Sequence, residues 1–113
     1  MGPAEVINAT IKSTSLEMVH GYLTLWLHLD YGGTGQGFGG ISLYHPEREE
    51  DFAGSFLYKT LDTVGVSKWE DLRGKHIRVV SDHSKVHKIG HIILDKWFCP
   101  ATDIKWEKYE RSH

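Results

Sequence analysis

An α+β domain is what the 113-residue sequence predicts: an antiparallel sheet of about five strands with one principal helix packed on one face. Three observations predict it. Leu23, Leu25, Leu27 and Leu29 alternate with Tyr22, Thr24, Trp26, His28 and Asp30, a period of two that sends the leucines to one face of a strand. Only one stretch, Asp51–Val64, switches to helical spacing. The order of elements is strands, then that helix, then a hairpin, whereas a doubly wound fold needs several alternating helices.

In chain order, Met1–Glu5 read as a loose terminus and Val6–Lys12 as a strand. Ser13-Thr14-Ser15 is a polar break that bulges or ends it, and Leu16, Met18 and Val19 suggest renewed pairing up to a turn at His20-Gly21. The leucine strand follows. Gly32–Gly40 holds six of the twelve glycines and reads as a wide hairpin with bulges or as a loop over a ligand. Ile41–Tyr44 is a further strand, stopped at His45-Pro46, and Pro46–Glu50 is an acidic loop. In the helix, Phe52 and Phe56 share a side with Lys59, next to Ala53, Leu57, Leu61 and Val64; Asp51 serves its start and Gly65 its end. Ser67-Lys68-Trp69-Glu70 fits a capping box, with a short helical turn running to Leu72. Lys75–Val80 and Val86–Leu94 are the strands of a hairpin around Ser81–Lys85. The whole chain, 1–113, is one domain, with a charged tail over 101–113 in which Trp106 and Tyr109 are possible docking points.

Composition narrows the function classes. The formal net charge is −2 with 40% hydrophobic and 12% aromatic residues, which argues against pervasive disorder. No run of eighteen apolar residues spans a membrane, and no signal peptide is indicated. The single cysteine, Cys99, cannot form an internal disulfide or a multi-thiolate zinc site, and an intracellular setting is expected. The charge is uneven. Residues 1–67 carry three Lys/Arg against eight Asp/Glu, whereas residues 68–113 carry ten against seven and five of the eight histidines. A near-neutral total disfavours long nucleic acid but leaves a small anion open.

Gly33-Thr34-Gly35-Gln36-Gly37 resembles a dinucleotide fingerprint, but Phe38 stands where the third glycine belongs and a strand follows instead of a helix. The glycines remain able to let backbone approach a ligand and to offer N–H groups to phosphate. In that reading Gly35 and Gly37 form the loop, Gln36 is a polar contact and Phe38 a stacking surface. His83, His87 and His91 are spaced by four, but the turn at His83 breaks the series and no further ligand completes a metal site. His28, beside Trp26 and Asp30, is a candidate for ligand contact, and His28 with Asp30 is the one compact acid–base pair. Cys99, between Phe98 and Pro100, reads as packing, and no catalytic residue or cofactor is assigned. Trp26, Tyr22, Tyr31 and Phe38 can stack on a base, and Lys75, Arg78, Lys85 and Lys88 can meet phosphates. The same aromatic row could instead bury against a second copy of the chain.

Asn8–Lys12, Leu23–Gly33 and Gly35-Gln36-Gly37-Phe38-Gly39-Gly40, with Trp69–Val79 and Ile89–Phe98, resemble a group of small phage-encoded proteins over roughly Val6–Pro100. The Gly-Gln-Gly-Phe-Gly-Gly element is the most specific part. The chain is similar to the first-described Thoeris anti-defence family, whose members sequester cyclic ADP-ribose-type immune signals. That resemblance implies a non-enzymatic homo-oligomer that holds a small cyclic nucleotide intact in the cytoplasm of the infected bacterium. The expected ligand-binding residues are Trp26, His28, Gly35, Gln36, Gly37, Phe38, Lys75, Arg78, His91 and Arg111. The alternatives are a protein-binding inhibitor of the anti-CRISPR type and a small hydrolase using His28 and Asp30.

Overall fold

The computed structural model describes residues 5–47, 51–82 and 85–104. Among them, six antiparallel strands form one sheet: β1 Glu5–Val19, β2 Tyr22–Tyr31, β3 Thr34–Tyr44, β4 His76–Ser81, β5 Val86–Gly90 and β6 Trp97–Phe98. Their order is β3-β2-β1-β4-β5-β6. Helix α1 (Ala53–Val64) follows β3, a 3-10 turn spans Trp69–Asp71, and a short helix α2 covers Pro100–Asp103. The architecture is the α+β one the sequence predicts, with one strand more.

The leucine alternation works as expected. Leu25, Leu27 and Leu29 are buried on the face that α1 covers, while Trp26, His28 and Asp30 stand exposed on the other. The polar break at Ser13–Ser15 does not end β1. Its partners shift between Ile11, opposite Leu29, and Ser13, opposite His28, so the extra residue Lys12 is absorbed as a bulge.

The glycine run is a strand and not a loop. Only Gly32 and Gly33 turn the chain, at φ 64° and 80°, in a two-residue connection between Tyr31 and Thr34. From there Gly35, Gly37 and Gly39 pair with Asp30, His28 and Trp26 of β2. What glycine supplies is space: a Cβ on Gly37 would lie 2.5 Å from Trp26 Cε3, and one on Gly40 closer still to the same ring. The six-membered ring of the indole lies across both positions, where any side chain would collide with it.

Phe38, expected as a stacking surface for a ligand, is 1% exposed and belongs to the core. Its ring lies 5.9 Å from both Phe56 of α1 and Phe98 of β6, and Phe56 meets Phe98 edge-on at 5.1 Å. Five inter-strand steps in a flat sheet would separate β3 from β6 by roughly 24 Å. Contact between Phe38 and Phe98 therefore requires the sheet to curl strongly around α1, bringing its two margins together.

Other boundaries move for local reasons. The strand expected over Val86–Leu94 ends at Gly90, because His91 and Arg78 hold the next residues in a loop. The capping box does not form: the turn begins at Trp69 with no side-chain cap, and the Trp69 indole donates instead to Thr14 Oγ1 at 3.0 Å. The start of the expected tail packs against the fold: Asp103 Oδ2 accepts the Cys99 N–H at 2.8 Å and Ile104 is buried. Gly65 ends α1 as expected, at φ 92° with its N–H bonded to Leu61 O. Among the described residues, no helix is long and apolar enough to cross a membrane.

Candidate ligand-binding site

The margins of the curled sheet meet only in part. β6 pairs with Ile89 and Gly90, leaving the start of β5 without a strand on that side among the described residues. A half-open cleft of about 460 Å³ lies between this stretch and β3. Gln36, Gly37, Phe38, Gly39 and Ile41 form one wall; Lys85, Val86 and His87 form the other; Cys99–Ala101 and Trp26 close it. The size is that of a small-molecule site, and so is the character: mostly apolar with a few polar groups.

Two of the cleft's polar side chains, Gln36 and His87, are held by their neighbours. Tyr31 OH donates to Gln36 Oε1, so the Gln36 amide N–H donors are the part left for a ligand. Asp82 Oδ1 accepts the Lys85 N–H at 3.1 Å, and Asp82 Oδ2 lies 2.8 Å from His87 Nε2. One carboxylate thus ties Asp82 to Lys85 and orients the His87 imidazole. The Lys85 ammonium has no carboxylate within ion-pair reach among the described residues.

A second hollow of about 360 Å³ adjoins the first and shares Gln36 and Gly37 with it. Lys12, placed there by the β1 bulge, stands over it with His28, Leu29 and Gly35. The Trp26 and His28 rings lie 6.5 Å apart and 21° from parallel, forming a shallow aromatic platform beside it. His28 does not pair with Asp30 as expected; its Nε2 meets Ser15 Oγ at 3.2 Å across the β1–β2 ladder. The strand register allows that contact, because Ser15 lies opposite Trp26 and diagonally across from His28, on the same face.

Five of the expected site residues converge here: Trp26, His28, Gly35, Gln36 and Gly37, with Phe38 behind them as core. Lys12 and His87 join them, although periodicity alone gave neither a ligand role. Three others lie elsewhere. Lys75 is exposed at the entry to β4, with its carbonyl accepting the Ile11 N–H. Arg78 donates from Nε to His91 O and from Nη2 to Leu94 O, both at 2.7 Å, and lies 4.7 Å from the Trp97 ring centre. That ring rests on Gly90, where a Cβ would strike it. His91 Nδ1 accepts the N–H groups of Ile93 and Leu94 at 3.0 Å. Arg78 and His91 therefore shape a loop, and neither the phosphate contact expected of Arg78 nor the ligand contact expected of His91 joins the cleft. Arg111 lies outside the described residues, as does His83 of the four-spaced histidines.

Among the described residues, no three His, Cys, Asp or Glu side chains are grouped to hold a metal ion. Comparison with protein-family models, curated proteins and solved structures finds no match to this chain.

Proposed function

We propose that this chain is a phage counter-defence protein that binds a small cyclic nucleotide signal of the cyclic ADP-ribose type and sequesters it uncleaved. It would act in the cytoplasm of the infected bacterial host. One observation carries the reading: Trp26, Gln36 and Gly37 converge with Lys85 and His87 on a single cleft of about 460 Å³. A planar base packs on the exposed Trp26 indole. The pyrophosphate meets Lys85 on one flank or Lys12 on the other, and the Gln36 amide donates between them.

The test uses the full chain and cyclic ADP-ribose. Protein and nucleotide are mixed, bound material is separated by ultrafiltration, and the protein is heat-denatured to release it. Depletion followed by recovery of intact nucleotide is expected. No depletion overturns the proposal, and recovery of an altered nucleotide favours hydrolysis, with Ser15 and His28 the first groups to replace. Trp26→Ala is expected to weaken retention by on the order of ten- to a hundredfold, the usual worth of a base stacked on an aromatic ring. A second reading, an inhibitor that binds a bacterial defence complex, is favoured by the exposed Ile93 and Leu94 side chains.

A further inference from the structure

Loop 91–96, between β5 and β6, turns around one imidazole. His91 Nδ1 accepts the backbone N–H groups of both Ile93 and Leu94 at 3.0 Å. A backbone amide nitrogen can only donate, so Nδ1 offers its lone pair and the ring carries its single proton on Nε2. The Nε2 edge lies against the C-terminal end of α1, 3.1 Å from where a Cβ on Gly65 would stand. The ring therefore meets two amide protons at one nitrogen and helix backbone at the other.

The loop's other side-chain ties do not involve this ring. Arg78 of β4 donates to His91 O and Leu94 O at 2.7 Å, and Lys96 Nζ reaches the carbonyl and Oδ1 of Asp62 on α1 at 3.2 and 3.3 Å. Asp95 Oδ1 accepts the Trp97 indole N–H at 3.0 Å, and Lys88 of β5 lies 5.2 Å from the centre of that indole. Both nearby carboxylates are thus bonded to other groups, and no carboxylate bonds His91 among the described residues. The C-terminal end of α1 attracts a cation, yet it faces Nε2, whose proton is present with or without the charge. A second proton, on Nδ1, puts an N–H where two N–H groups already point. It also adds a charge of the same sign as Arg78, Lys88 and Lys96.

We propose that His91 is an acid-sensitive latch: gaining a proton at Nδ1 expels the Ile93 and Leu94 amides and opens the 91–94 turn, while Lys96 keeps the loop attached to α1. The closed turn excludes the second ring proton and the open turn accepts it, so lowering the pH favours the open form. Residue 96 leads directly into β6, whose Phe98 joins β3 to α1, so the opened turn loosens the strand at the end of the cleft. The latch needs no nucleotide and operates whatever the cleft binds.

The test is nuclear magnetic resonance on the full chain between about pH 8 and pH 5, the range in which imidazoles change charge. It follows the His91 ring protons and the Ile93 and Leu94 amides, with hydrogen exchange corrected for the intrinsic effect of pH. In the wild type both amides are expected to shift together with the ring and to lose about tenfold in protection, the worth of one hydrogen bond. Leu25 and Leu27 of β2 should stay protected throughout. In His91→Asn the side-chain carbonyl accepts the same amides and does not titrate, so both are expected to stay protected across the range. Amides that remain protected while the ring gains its proton, or a ring that stays neutral to the end of the titration, overturn the proposal. So does joint loss of protection in β2, which would mean unfolding of the whole chain, and so does an asparagine variant that opens like the wild type. The wild-type titration decides by itself should that variant fail to fold.

Discussion

At Gly37 and Gly40 one added methyl group decides whether Trp26 keeps its place. Both ideal Cβ positions fall inside contact distance of the indole ring, so Gly37→Ala or Gly40→Ala forces the ring off the strand. We expect each to destabilise the fold by about 1–3 kcal/mol, the range for overpacked sites. Urea unfolding reads the loss, and a red-shifted tryptophan emission reports the displaced indole. Arg78 makes a second prediction at this scale. Arg78→Ala removes two hydrogen bonds from a charged donor and the contact with Trp97, with an expected loss of about 1.5–3 kcal/mol in stability. Nucleotide retention by the folded variant should match wild type, and a specific loss of affinity would return Arg78 to the site.

Among the elements, the three-phenylalanine contact holds the curled sheet. Phe98 is contributed by a strand of two residues, too short to stay in place by its own ladder, and its ring is what connects β6 to both β3 and α1. Phe98→Ala is expected to cost about 3–5 kcal/mol by chemical denaturation. It should also open the cleft, weakening nucleotide retention in whatever folded fraction remains. Loop 91–96 gives a subtler comparison. His91→Ala removes the acceptor for the Ile93 and Leu94 amides, whereas His91→Asn offers a carbonyl oxygen that can replace it. Hydrogen exchange at those two amides should quicken in the first variant and recover at least partly in the second; equal exchange in both would discount the imidazole as the brace.

For the whole molecule, a net charge of −2 does not keep a chain from holding an anion, because what the anion meets is the charge beside it. Lys12 and Lys85 stand on the two flanks of the joined hollows, far apart in sequence and without carboxylate partners among the described residues. If both meet phosphate, Lys12→Ala and Lys85→Ala should each weaken retention, and raising salt should weaken the wild type more than either variant. Calorimetry at two ionic strengths checks this. Salt-independent binding would mean that the apolar wall and Trp26 carry the ligand alone.

The sequence by itself determined the fold class, the inner and outer faces of β2, the helix with its glycine end, and the grouping of Trp26, His28 and Gly35–Gly37. These follow from period and neighbourhood, which act over a few residues. Only the tertiary structure decided that the glycine run is a strand floor for an indole, that Phe38 is core, and that Arg78 and His91 serve a loop. It also decided that Lys85 and His87 face β3. Each of those outcomes depends on register, bulges and the curl that brings Phe38 to Phe98. Such contacts join residues dozens of positions apart, where local periodicity carries no information.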